Sequence, residues 1–358
     1  MQYSVKYRPS TFAQVVGQEV AVRILRNSIL MNRVPSACLL NGIRGTGKTT
    51  LARIYAKALN CENFALTGDL CGTCPSCQES ADSHPSIIER DAATYNGVDD
   101  VRDMEQLVNQ VVIHRYKAII LDECHMFSKS AQAALLKMLE EPPPHVIFML
   151  VTTDPQRLED TIRSRCMQMP LKGLNPPEVA HNVRGILDSE GVSYTEEFVD
   201  SISRLGGGSM RDVQQILEGM VLAAGDATVD VSLLRDSVGV ISAEEYGDLA
   251  DVIDRGNLRY FLTEVRRWEA EGRDLKFLFN EGIPNMLRDF MIVLSGIPEN
   301  DIFLLSGLKH SSIACNLTIG MDGVKRCLRE WEVSEEFMRY SSDPRVIWSM
   351  YAAKVCSE

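Results

Sequence analysis

Three groups of residues in this 358-residue chain have the types and spacing to do chemistry. The first is the loop Gly42-Ile43-Arg44-Gly45-Thr46-Gly47-Lys48-Thr49, of the form GxxxxGKT. Gly42, Gly45 and Gly47 let backbone N–H groups close on phosphates, and Lys48 reaches the outer two. Thr46, Thr49 and Thr50 line the passage from loop to helix, where the Thr49 hydroxyl can hold magnesium at the positive end of the helix dipole. The second group is Asp122-Glu123, which ends an apolar run. Asp122 suits a metal held through water, and Glu123 suits the polarisation of an attacking water, because phosphoryl transfer asks a protein mainly for positioning and charge. The third is a knuckle of Cys61, Cys71, Cys74 and Cys77, placed between the other two.

These groups need a frame. Ala37–Leu40 reads as a buried parallel strand entering the phosphate loop, and residues 49–59 read as the helix leaving it. Further strands are expected at 86–89, 117–121, 146–151 and 166–169, with helical segments between them. That alternation implies a parallel sheet covered on both faces. After residue 171 the pattern becomes helical only. Asn175 before Pro176-Pro177 is a helix start, and Gly206-Gly207-Gly208 breaks the run before Ser209 caps the next helix. A helical segment is therefore expected at 172–238 and a second at 239–358. Apolar residues recur at helical spacing in the second, at Tyr260-Phe261-Leu262, Val265 and Trp268, then at Phe277-Leu278-Phe279, Ile283, Met286-Leu287 and Phe290-Met291, which reads as core.

Composition narrows the class. No apolar stretch approaches the roughly 20 residues of a membrane span, and the N-terminus lacks the apolar core of a secretory signal. A cytoplasmic location without membrane partners is expected, with the ten cysteines as reduced thiols or metal ligands. Four thiolates spaced as in the knuckle can close tetrahedrally around a structural zinc; a disulfide pair, or His84 in place of one cysteine, remains an alternative. Cys38, Cys124, Cys166, Cys315, Cys327 and Cys356 are scattered and read as packing residues. Net charge is −12, yet residues 1–171 carry 18 basic and 18 acidic side chains, so the whole deficit lies in 172–358. Any nucleic-acid contact is then expected from a local patch on the N-terminal part.

Taken together, the loop, the acidic pair and the knuckle resemble the bacterial clamp-loader ATPase family, the gamma/tau subunits of DNA polymerase III within the AAA+ class. Other segments share the resemblance: Tyr7-Arg8-Pro9 with Phe12 and Val15-Val16-Gly17-Gln18, Asp122-Glu123-Cys124-His125-Met126, Leu136–Pro143, Val151–Gln156 and Ser164-Arg165-Cys166. It is close over about the first 225 residues and weak beyond.

The resemblance implies an AAA+ P-loop α/β domain with a zinc module at 1–171, a helical lid at 172–238 and an all-α oligomerising collar at 239–358. It implies ATP, magnesium and zinc as cofactors, with Tyr7, Arg8, Pro9, Val16 and Gly17 enclosing adenine. Thr153 is implied as the sensor that holds the attacking water or the γ-phosphate, with Thr152 its neighbour. Arg165 is implied as the finger offered to the adjacent subunit's ATP, with Arg163 beside it, and Arg211 as the lid arginine reaching the nucleotide. Implied partners are the other subunits of a hetero-oligomeric, pentameric ring, a sliding clamp and primer-template DNA. One departure stands out: where the family presents basic side chains to DNA, this chain has Thr94-Tyr95-Asn96-Gly97, leaving Tyr95, Asn96, Arg102, Lys129 and Lys137 as candidates. The sequence ends at Glu358 without a Pro-rich linker, which gives the expectation of a minimal loader that does not itself couple polymerases. Alternatives from other classes are a branch-migration type of AAA+ remodeller and a non-catalytic ring subunit.

Overall fold

The computed structural model describes residues 2–80, 83–108, 114–238, 248–249, 251–253, 255–296 and 319–356. The chain divides into two compact units, Met1–Val179 with Gly207–Gln214, and Ala180–Gly206 with Gln215–Glu358. In the first, the five apolar runs form β1 (Ala37–Asn41), β2 (Ile87–Asp91), β3 (Lys117–Asp122), β4 (Val146–Thr152) and β5 (Met167–Pro170). All pairings are parallel, in the order β2-β3-β4-β1-β5. The edge strand β2 runs two residues beyond the expected Glu89, because Arg90 and Asp91 keep pairing with Leu121 and Asp122 although they are polar.

Alternate strand residues face opposite ways, and each face has its own core. Cys38, Leu40, Ala118, Ile120, Met149 and Val151 pack with α1 (Glu19–Leu30) and α2 (Lys48–Leu59). Leu39, Ile119, Leu121, Phe148 and Leu150 pack with α3 (Val98–Val108), α4 (Lys129–Glu140) and α5 (Asp160–Arg165). The strands' C-terminal ends therefore stand in one row, and β1 delivers the phosphate loop between the ends of β4 and β5.

Next comes α6 (Pro176–Glu190), opened by a reciprocal cap in which Asn175 Oδ1 accepts from Glu178 N–H and Glu178 Oε2 accepts from Asn175 N–H, each at 2.9 Å. After α7 (Glu196–Leu205) the three glycines interrupt the helix, and Ser209 Oγ caps α8 (Met210–Ala224) by accepting from Asp212 N–H at 3.3 Å. Residues 207–214 belong to the sheet unit, although the sequence reading assigns them to the helical segment.

The second unit is helical, with α9 (Val231–Val238), α10 (Leu258–Ala270), α11 (Ile283–Leu294), α12 (Met321–Tyr340) and α13 (Pro344–Val355). The expected stripes are its core: Phe261, Val265, Trp268, Phe279, Ile283, Met286, Leu287 and Phe290 are buried, whereas Tyr260 faces solvent. Trp348 of α13 sits among Phe261, Trp268 and Phe279 with ring centroids 6.1, 5.6 and 5.1 Å away, and its indole N–H donates to the Leu275 carbonyl at 2.9 Å. The boundary expected after residue 238 and the role expected for Cys315 lie outside the described residues. No helix among the described residues is long and apolar enough to cross a membrane.

Candidate nucleotide site and cysteine module

The phosphate loop leaves β1 at Asn41 and becomes α2 at Lys48. Gly47, at the helix N-cap, has φ +89°, a left-handed conformation that costs an L side chain roughly 1–2 kcal/mol. The α2 N-terminus so formed is a ready anion site. The Lys48 ammonium donates to the carbonyls of Gly42 (2.9 Å) and Ile43 (2.8 Å), which holds it in the mouth of the loop. Burial pushes its pKa down from the usual lysine value, and the carboxylates of Glu123 and Asp122 oppose the shift.

Opposite the loop, β3 ends at the acidic pair. Asp122 Oδ2 accepts from the Thr49 hydroxyl at 2.8 Å, so two hard oxygen donors converge as a magnesium site requires. Glu123 has φ +45° and ψ +41°, a left-handed backbone unusual for a residue with a side chain. That turn brings its carboxylate back over the strand ends, where Oε2 accepts from Thr153 Oγ1 at 3.2 Å and lies 3.4 Å from His125 Nδ1. Thr152 is fully buried and pairs with His125 Nδ1 at 3.0 Å. The two neighbouring threonines thus part: Thr153 joins the acidic pair and Thr152 braces the histidine.

Two further segments close on the loop. The start of α8 docks directly: Met210 N–H donates to the Gly45 carbonyl at 3.2 Å, and a Cβ built on Gly45 would fall 1.9 Å from Ser209 Oγ and 3.3 Å from Arg211 Cβ. Arg211 therefore leaves its backbone beside the phosphate loop. The segment of Tyr7, Arg8, Pro9, Val16 and Gly17 is anchored at its end by the buried Gln18, whose amide donates to the Lys172 carbonyl (2.7 Å) and accepts from its N–H (3.2 Å). Arg165, at the end of α5, donates to Glu140 Oε1 (2.6 Å) and the Thr161 carbonyl (2.9 Å), with no bond to the phosphate loop or acidic pair among the described residues. Arg163 pairs with Asp160.

Cys61, Cys71, Cys74 and Cys77 come together with all four sulfurs within 4.8 Å of one another, and Cys71 Sγ lies 3.9 Å from Cys77 Sγ. Tetrahedral zinc–thiolate bonds of about 2.3 Å place sulfurs about 3.8 Å apart, so the set fits zinc. Hydrogen bonds from the Thr73 hydroxyl and from the Thr73 and Cys74 amides pull the Cys71 thiol down to about 5. Burial pushes Cys77 up to about 12 and raises Cys61. His84 does not join the sulfurs: Nδ1 accepts from Ser86 N–H at 3.2 Å, and Nε2 meets Ser76 Oγ at 2.9 Å and Glu79 at 3.8 Å. Glu79, His84 and His114 form a second cluster of possible donors, but the Ser86 amide occupies the Nδ1 lone pair and leaves the proton on Nε2, which disfavours His84 as a ligand.

At the segment without basic residues, Tyr95 is exposed and the Arg90 guanidinium lies 5.5 Å from its ring centroid. Sequence reading did not single out Arg90, which lies just past the expected strand end and which the structure places within β2. Arg102 pairs with Asp99 and Lys137 with Glu105 at the surface.

The chain is similar to several known proteins. The family model for the DNA polymerase III delta subunit matches residues 17–175. The chain is 36% identical to DNA polymerase III subunit tau of Salmonella typhimurium, covering 82% of this chain and 46% of that one. It is 32% identical to the Bacillus subtilis tau subunit over 99% of this chain and 64% of that one. A third relative, the gamma/tau subunit of Mycobacterium tuberculosis, is 37% identical over 73% of this chain and 48% of its own length. The chain thus spans from about half to just under two thirds of these relatives. Among solved structures, the Thermotoga maritima RuvB Holliday junction branch migration motor superposes with a TM-score of 0.51 at 18% identity, over 69% of this chain and 79% of that one. That likeness speaks to the fold alone.

Proposed function

Because the chain belongs to the family of DNA polymerase III tau/gamma subunits, we propose that it is the ATP-hydrolysing motor of a sliding-clamp loader. The single observation that carries a catalytic rather than a structural role is the assembled set of Lys48, Thr49, Asp122, Glu123 and Thr153. Lys48 and the loop amides hold the outer phosphates; Thr49 and Asp122 hold magnesium, which offsets phosphate charge. Glu123 takes the proton side of the attacking water, and Thr153 fixes the Glu123 carboxylate. Tyr7, Arg8, Pro9, Val16 and Gly17 enclose the base. Arg211 reports nucleotide state to the lid at 172–238, and residues 239–358 form the collar of the ring. Arg165 serves the neighbouring subunit's ATP, and its pairing with Glu140 keeps the guanidinium at the surface for that contact. The cysteine module holds one structural zinc.

ATP binding assembles a ring able to open the clamp, and primer-template DNA triggers hydrolysis and release. Since the segment 94–97 carries no basic side chain, DNA is held by phosphate contacts spread over several subunits, giving salt-sensitive binding in the assembled ring. The test is steady-state ATPase of the complete assembly with clamp alone, DNA alone and both, across a salt series. Stimulation by the pair beyond either component supports the reading. Equal rates at every salt would leave a branch-migration type of remodeller, whose fold this chain resembles over 69% of its length, as the better account.

A further inference from the structure

The cysteine module is bolted to both halves of the nucleotide site. On the phosphate side, Cys61 continues from the end of α2, its N–H donating to the Ala58 carbonyl at 3.2 Å, and the Lys57 ammonium of the same helix donates to the Cys77 carbonyl at 3.0 Å. On the other side, the short turn Phe64–Thr67 leads through a left-handed Gly68 into Asp69, two residues before Cys71. The Asp69 carboxylate accepts from Phe12 N–H at 3.1 Å through Oδ1 and from Ala13 N–H at 2.9 Å through Oδ2. These two amides begin the turn Phe12–Gln14, which lies between Tyr7-Arg8-Pro9 and Val16-Gly17. The Phe12 and Phe64 rings meet edge to face at 6.2 Å, both buried. Arg26 of α1 adds a bond from Nε to the Gly68 carbonyl at 2.8 Å.

We infer that Asp69 is a positioning residue through which metal in the cysteine module and nucleotide in the phosphate loop stabilise each other's binding. The inference rests on the nucleotide and zinc assignments above, not on clamp loading. Zinc fixes the four thiols and with them the loop carrying Phe64 and Asp69. Those two residues then hold the base-enclosing segment in the position that bound nucleotide needs, so each ligand removes part of the ordering cost of the other.

The experiment measures zinc affinity by competition with a chelator of known affinity, with and without a saturating non-hydrolysable ATP analogue. Nucleotide affinity is then measured with and without zinc, in wild type, Asp69→Asn and Asp69→Ala. Wild type is expected to show reciprocal tightening of about tenfold, within the usual range of coupling between sites. Asp69→Ala is expected to keep one zinc per chain, to bind nucleotide about tenfold more weakly and to lose the reciprocity. Asp69→Asn, with one acceptor left for two amides, falls between. A wild-type chain whose zinc affinity ignores the analogue overturns the inference whatever the variants do, as does full coupling in Asp69→Ala. Lys48→Ala serves as control, because it must abolish the analogue's effect. Coupling that persists in a chain unresponsive to clamp and DNA would sink the clamp-loader reading alone.

Discussion

Lys48 is buried, depressed in pKa and flanked by two carboxylates, so its charge matters most when phosphate arrives. Lys48→Ala is expected to lose nucleotide binding itself, read by titration with a fluorescent nucleotide. Arg165→Ala is expected to bind ATP normally yet to lower turnover of the assembled ring by about 10³-fold, as a finger acting on a neighbour's phosphate requires. Normal turnover in that ring would remove Arg165 from the mechanism. Lys48, Asp122 and Glu123 were legible in the sequence as candidates because phosphate chemistry asks for those residue types at strand ends, here those of β1 and β3 with β4 between them. The resemblance pointed to Thr153 rather than Thr152; what the two side chains touch came from the structure. Strand alternation turns one inward to His125 and the other towards Glu123, and a run of two threonines does not say where the strand stops.

At the level of elements, the junction of phosphate loop and α8 is a close contact with little room. Gly45 has φ +78° and no room for a Cβ beside Ser209, so Gly45→Ala meets backbone strain of roughly 1–2 kcal/mol as well as a clash. It is expected to displace the start of α8 and weaken nucleotide binding; a variant with unchanged affinity and melting temperature would show that α8 does not dock there. The sequence marks Gly45 as a loop glycine and Ser209 as a cap, but nothing in it says that the two touch across more than 160 residues. The cysteine module is a second element with a clear test. Metal analysis of gently purified protein is expected to find one zinc per chain, lost in Cys74→Ser. Unchanged zinc in that variant would leave the sulfurs as mere neighbours. Spacing alone made the four-thiol cluster legible, while its ties through Asp69 and Lys57 were not, because a capping carboxylate and a long cation look like ordinary surface residues.

Over the whole molecule, the alternation of short apolar runs with helices was enough to foresee a five-stranded parallel sheet, since strands buried on both faces must be apolar throughout. Unit boundaries were less legible: the glycines at 206–208 do break the run between two helices, as read, but nothing in the sequence says that residues 207–214 group with the sheet unit. The helical unit depends on its aromatic centre. Trp348→Phe is expected to destabilise it by about 2 kcal/mol, combining lost volume with loss of the indole bond to the Leu275 carbonyl, which keeps its bond from Leu278 N–H, as read by chemical denaturation. A cost near zero would mean that this centre is loosely packed. Glu123 carries a different kind of burden. In most positions alanine is more stable than glycine, but at φ +45° the order should invert, with Glu123→Gly more stable than Glu123→Ala by about 1 kcal/mol. On the proposed function, an acid placed on a backbone that favours glycine trades stability for turnover. A duplicated copy released from hydrolysis would be expected to drift first at this position, gaining robustness as it falls silent.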